Sequence, residues 1–127
     1  MIVLDASVLI GHLSPHDVHH AAATAILVDA APGAMLVHAL TLAEVLVGGV
    51  RVGRGQAMRD DLEAAGIRVA APDDGEPLRL AELRTRTGLK LPDCCVLDVA
   101  LRTASSLATF DDALAAAARQ RGVLLLL

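Results

Sequence analysis

The sequence of 127 residues is nearly devoid of aromatic side chains, with one Phe, no Trp and no Tyr. Stacking of nucleic-acid bases on aromatic rings would have to rest on Phe110, which argues against it as the main binding mode. Cysteine is almost as scarce. Cys94 and Cys95 are adjacent, a spacing that closes at best a strained ring, and no Cys-x-x-Cys or spaced pair exists. They read as small buried residues in a reducing compartment. A thiol nucleophile would need a nearby base that the sequence does not identify. No stretch approaches the roughly 20 uncharged apolar residues of a membrane helix. The opening Met1-Ile2-Val3-Leu4-Asp5 places an acid where a signal peptide would be basic and then apolar, so the expectation is a cytoplasmic protein without a membrane partner. Basic residues are outnumbered, 11 Lys+Arg against 15 Asp+Glu, for a formal charge of 11 − 15 = −4. At first sight that balance speaks against binding through phosphate charge.

What is present is apolar and aliphatic: 24 Ala, 22 Leu and 13 Val within an apolar content of 54%. Such a chain is not disordered, and its length suits one domain, residues 1–127, with a buried core. Short β-branched or leucine-rich runs at Ile2–Leu4, Met35–His38, Ile67–Ala70, Ser106–Phe110 and Val123–Leu127 read as buried strands. Between them lie helical segments: Ser7–Leu13, residues 17–30 up to Pro32-Gly33, Thr41–Val47 closed by Gly48-Gly49, and Arg54–Ala65 closed by Gly66. Glu76–Thr87 stops at Gly88, Asp93–Thr103 follows Pro92 at its first position, and Asp111–Gln120 is mostly Ala. Strands alternating with helices predict an α/β fold, a three-layer α/β/α domain around a mostly parallel five-stranded sheet.

In open parallel sheets, ligands bind beyond the carboxyl ends of the strands. Four acids fall there: Asp5 after the first strand, Glu44 in the helix after the second, Asp93 opening the helix that leads to the fourth, and Asp111 after the fourth. Each also has a structural explanation. Thr41-Leu42-Ala43-Glu44 fits a capping box, Asp93 suits a first helical turn, and Asp111 suits an N-cap. Asp5 differs, because a carboxylate directly after a buried strand needs a partner. Four converging acids without a base repel one another, and hard divalent cations relieve that repulsion. Carboxylates holding Mg²⁺ or Mn²⁺ are suited to phosphodiester hydrolysis. Ser7 and Thr109 stand where their hydroxyls would orient those acids, or else bond locally in turns.

Asp5-Ala6-Ser7 after an apolar strand, Glu44 within Thr-Leu-Ala-Glu-Val-Leu-Val-Gly, Leu91-Pro92-Asp93 after a Lys, and Thr109-Phe110-Asp111 after a strand resemble, in order and spacing, the four signatures of PIN-domain ribonucleases. The short length, the Asp-Val-His-His-Ala segment from Asp17, and Arg51 after Val-Gly-Gly are similar in particular to VapC-type toxins of bacterial toxin–antitoxin pairs. The resemblance covers essentially the whole chain. It implies a PIN-like fold and an Mg²⁺- or Mn²⁺-dependent endoribonuclease acting on RNA. It also implies a homodimer and a cognate antitoxin that obstructs the site. Asp5, Glu44, Asp93 and Asp111 would then be the catalytic, metal-holding acids, with Ser7 and Thr109 supporting and the adjacent Asp112 sharing or replacing Asp111.

Two basic segments, Arg51 with Arg54 and Arg59, and Arg84 with Arg86 and Lys90, flank the acids and are candidates for RNA phosphate contacts; the alternative is a solvated face. Taking the four acids out leaves 15 − 4 = 11 acidic against 11 basic residues, so the charge of −4 matches the site and is nearly silent on RNA. Among the histidines, His16 and His20 lie at metal-ligand spacing, but no complete ligand set surrounds them, and a solvated helix start or dimer surface is the simpler reading. His38 reads as a partly buried structural residue or a proton carrier. Asp98, about 140° round the helix from Asp93, is expected to face elsewhere. Two rival functions remain: an aspartate-dependent phosphatase using Asp5 as nucleophile, although a second Asp two residues on is replaced by Ser7, and a non-catalytic binding module whose acids are caps.

Overall fold

The computed structural model describes residues 1–126. Among them, four three-residue strands, β1 (Ile2–Leu4), β2 (Met35–Val37), β3 (Ile67–Val69) and β4 (Ser106–Ala108), form one parallel sheet in the order β3-β2-β1-β4. Helices α1 (Ala6–Leu13) and α2 (His20–Asp29) join β1 to β2, and α3 (Ala39–Arg51) and α4 (Gly55–Ala64) join β2 to β3. Helices α5 (Glu76–Thr87) and α6 (Leu91–Arg102) join β3 to β4, and α7 (Asp112–Gln120) follows β4. Among the described residues, no helix is long and apolar enough to cross a membrane.

The central strands β1 and β2 are wholly apolar because both sheet faces are covered there, whereas the edge strand β3 carries the exposed Arg68 and β4 opens on Ser106. Successive side chains point to opposite faces. Val3, Leu36 and Leu107 pack with Leu83, Val96, Leu97 and Leu114 of α5, α6 and α7. Leu4, Met35, Val37 and Ala108 pack with Val8, Leu27, Leu42 and Leu62 of α1 to α4. The result is the expected three-layer α/β/α PIN-like arrangement. Burying one such leucine is worth about 1.5–3 kcal/mol, so the two clusters carry most of the favourable free energy.

The expected fifth strand over 123–127 shrinks to a single parallel bridge between Leu107 and Leu125; position 127 lies outside the described residues. Val123 and Leu125 turn into the core, whereas Leu124 and Leu126 stay exposed. An unbroken apolar run predicts burial on both faces, but this one is an edge covered on one side. Two helix boundaries also differ. α3 runs through Gly48-Gly49 to Arg51 and ends before Gly53, whose φ is +73°. Gly49 packs closely: a Cβ there would meet the end of the Met58 side chain at 3.0 Å, which would have to shift by a few tenths of an ångström. The capping box at Thr41–Glu44 is absent, because the N-cap is His38, three residues earlier, whose Nδ1 accepts from the Leu40 N–H at 3.0 Å. α2 begins at His20 and not at Asp17, which instead caps the His19 N–H at 2.8 Å in a short turn.

The sheet order places β1 beside both β2 and β4. The chain moves outward from β1 to β3, then crosses back to lay β4 on the other side of β1. That reversal opens a crevice beyond the carboxyl ends of β1 and β4, the usual ligand site of such sheets.

Candidate active site

Asp5 leaves β1 at this crevice as the N-cap of α1, and it is buried. Its Oδ1 accepts from the Ala6 N–H at 2.8 Å, and its Oδ2 accepts from the Ser7 hydroxyl at 2.8 Å and the Thr109 hydroxyl at 2.7 Å. Each hydroxyl is itself fixed from the β4–α7 junction: Ser7 Oγ accepts from the Phe110 N–H and Thr109 Oγ1 from the Asp111 N–H, both at 3.0 Å. Two hydroxyls therefore lace the ends of β1 and β4 together through one carboxylate. These donors compensate the burial of the carboxylate. Three donors fill most of its roughly four acceptor positions, leaving room for one more partner.

Asp111 is the N-cap of α7 and accepts from the Leu114 N–H at 2.8 Å. Asp93 lies in the first turn of α6, behind Lys90 at the N-cap and Pro92. Glu44 is exposed on α3, released from any capping duty by His38. α6 packs against both α3 and β1, which brings these segments together. The Asp93 carboxyl is held above the usual Asp range, first by burial and then by the negative charges of Asp5, Asp111 and Glu44, with Lys90 opposing them. Acids from three other segments thus act on one group. Asp112 is absent from those charges; it is the exposed first residue of α7.

The chain matches the family model for the PIN domain over residues 2–120. It belongs to the PIN-domain family. PIN domains are nucleases, which supports a hydrolase acting on nucleic acid. No curated protein matches the sequence. Among solved structures, the PIN domain is similar to a toxin–antitoxin complex from Klebsiella pneumoniae, at 24% identity and a TM-score of 0.75, covering 87% of each chain. It is also similar to the sarcin–ricin-loop-cleaving toxin VapC20 of Mycobacterium tuberculosis, at 17% identity and a TM-score of 0.78, covering 92% of this chain and 95% of that one. A third is FitAcB from Neisseria gonorrhoeae, at 21% identity and a TM-score of 0.73, covering 98% and 96%.

The remaining candidates of this PIN domain divide clearly. Arg51, Arg54, Arg86 and Lys90 are exposed. Arg84 is engaged in the fold: its Nη1 donates to the Gly88 and Leu89 carbonyls at 2.8 and 2.7 Å, closing α5 where Gly88 takes a left-handed φ of +72°. Asp98 faces away from the acids, buried against the fork of Arg79 at 2.8 and 3.1 Å, with Asp73 on that arginine's other edge.

His38 lies in a group that sequence reasoning did not assemble. Its Nε2 meets Glu76 of α5, and Cys95 Sγ of α6 completes a trio whose ligand atoms lie within 4.8 Å of one another. The Leu40 N–H on Nδ1 decides the tautomer, placing the proton on Nε2, where it is donated to Glu76. An imidazole protonated on that nitrogen is no metal ligand, and the usual ligating histidine donates from its other nitrogen. The His38–Glu76 pair is therefore a hydrogen-bonded tie from α5 to the start of α3, the helix that carries Glu44, with Cys95 beside it. The only hint in the sequence is that His38 ends a strand. A hollow of about 510 Å³ beside the edge strand β3, lined by Gly33, Arg59 and Arg68 among others, contains none of the four acids.

Proposed function

We propose that this PIN domain is a metal-dependent endoribonuclease that cleaves RNA phosphodiester bonds and serves as the toxin of a toxin–antitoxin pair. The observation that carries the reading is the convergence on Asp93 of charge from Asp5, Glu44 and Asp111. The donor set is all carboxylate oxygen with no base among it, which fits a hard divalent ion such as Mg²⁺ or Mn²⁺. Asp5, Glu44, Asp93 and Asp111 would hold it. Such an ion, when bound, supplies a water of lowered pKa and positive charge for the leaving oxygen. The chain supplies geometry. Ser7 and Thr109 fix the plane of the Asp5 carboxylate, the Leu114 N–H fixes Asp111, and Lys90 tempers the charge beside Asp93. With hydrogen bonds on both of its oxygens, Asp5 suits a rigid ligand better than an attacking nucleophile. Asp111 is preferred over Asp112 as the fourth acid because its charge reaches Asp93.

Arg51, Arg54, Arg86 and Lys90, all exposed, would supply the phosphate contacts, and Arg84 would contribute through the fold. The toxin role is supported by similarity of fold to the Klebsiella pneumoniae complex and to the Mycobacterium tuberculosis toxin. Leu40, Val47 and Val50 of α3 are exposed apolar residues that an antitoxin or a second copy in a homodimer would cover. The test is incubation of the purified chain, free of any partner, with RNA and Mg²⁺ or Mn²⁺ beside a chelator control. Cleavage that persists in chelator, or in Asp5→Asn and Asp93→Asn, refutes the reading.

A further inference from the structure

The single phenylalanine stands at the rim of the carboxylate crevice, between Thr109 and Asp111, with its N–H on Ser7 Oγ. Its ring is not alone. The imidazole of His19 lies parallel to it, with centroids 4.1 Å apart and planes 7° apart. Phe110 is half-buried against the α1–α4 side of the core, whereas His19 is exposed. One face of the imidazole is therefore covered by Phe110, and the residue remains open to solvent.

The neighbouring histidines have local duties. His20 Nδ1 bonds the Gly11 carbonyl and His12 Nδ1 the Thr24 hydroxyl, both at 3.0 Å. His19 stands at the N-cap of α2 but makes no side-chain cap bond, and its ring has no hydrogen bond among the described residues. Its backbone is held by Asp17 Oδ1. The ring is thus oriented by its stack and its turn alone. Bases of single-stranded RNA stack on imidazole as well as on phenyl rings. Counting Phe, Trp and Tyr overlooks such a platform, because it needs a histidine distant in sequence.

We propose that His19 and Phe110 form a stacking platform for one nucleobase of single-stranded RNA, beside the four carboxylates. The inference rests on the endoribonuclease reading and adds a subsite to it. Phe110 fixes the plane of the platform and His19 presents the outer face. A base lying there is unstacked from its neighbour, which bends the backbone toward the acids. Stacking reads a π-face and no base edge, so the platform orders the strand at that nucleotide with little base preference.

The experiment uses the Asp93→Asn chain with Mg²⁺ and a short single-stranded RNA carrying 2-aminopurine at each position in turn. Anisotropy reports binding and fluorescence quenching reports stacking. The expected result is strong quenching confined to one position. His19→Ala abolishes it and weakens binding about five- to tenfold, and His19→Tyr restores it. Because His19 is exposed and caps nothing, His19→Ala leaves the fold intact; Phe110→Leu serves as the second variant. RNA that binds without position-specific quenching, or with quenching unchanged in His19→Ala, overturns the platform. Cleavage of RNA by the unaltered chain in that case leaves the nuclease reading standing. Absence of both RNA binding and cleavage overturns the two together.

Discussion

Thr109 donates to Asp5 Oδ2 at 2.7 Å while accepting the Asp111 N–H at 3.0 Å, so one hydroxyl sets two of the four acids. Thr109→Val removes the donor from a buried carboxylate and the acceptor from an amide. The expected loss is about 1–3 kcal/mol of stability, with a larger proportional loss of cleavage rate. Thr109→Ser keeps both bonds and restores most of each. Urea unfolding and initial rates on RNA measure the two effects.

Asp93→Asn should stabilise the metal-free protein at neutral pH. A carboxyl whose pKa rises on folding holds its proton more tightly in the native state. The unaltered chain therefore loses stability as pH climbs from the ordinary value of 3.8 through the raised native one. Below 3.8 the group is protonated folded or unfolded, and the two proteins differ no further on this account. Melting curves in chelator across that range check the sign: a variant that melts lower than the unaltered chain at pH 7 contradicts it. With Mn²⁺ added the order should reverse, because ligand-linked stabilisation needs the intact site.

Arg79 grips buried Asp98 with two nitrogens, and Arg102 lies 3.4 Å from the same carboxylate. Arg79→Met should destabilise the fold by leaving that charge under-compensated. Adding Asp98→Leu should recover more than half, since an apolar pair in place of a buried ion pair is often neutral. Denaturant midpoints of the two single variants and the double variant give the coupling.

Arg84 and Arg86 separate although they are neighbours in sequence and charge. Arg84→Ala removes two hydrogen bonds to the end of α5 and should lower stability by about 1 kcal/mol. Arg86→Ala should leave the melting temperature alone and reduce the salt slope of RNA binding by about one unit. An unchanged slope removes Arg86 from the phosphate contacts.

The thiols should be inert in the native protein. Burial pushes Cys94 up, and burial with the charge of Glu76 pushes Cys95 up to about 11. Alkylation at pH 8 is expected to modify neither until the chain is denatured; rapid native labelling, read by mass spectrometry, refutes this.

Much of this architecture is legible in the sequence. An apolar triplet ending in an acid announced both β1 and Asp5, and buried parallel strands interleaved with helices announced the layers. The family was legible because four short signatures occur in order, each tied to a strand end or a helix start. What escaped depends on contacts distant in sequence. Gly48-Gly49 carries a stop signal that the packing of Gly49 on Met58 overrides. Thr41-Leu42-Ala43-Glu44 satisfies a capping rule, but His38 caps first. The apolar run at 123–126 looks two-sided because exposure at a sheet edge leaves no mark on composition. His38–Glu76 and His19–Phe110 join residues 38 and 91 positions apart, and no local pattern relates them.

The bond from Thr109 to Asp5 spans 104 residues. During synthesis Asp5 emerges 104 residues ahead of its partner hydroxyl, and Asp111 follows Thr109. β1 meanwhile lacks β4, and Asp5 lacks one of its three donors. Closing so long a loop is slow relative to forming helices. The crevice therefore cannot assemble on a nascent chain until β4 and Asp111 have emerged, so the order of the strands delays the site behind most of the fold.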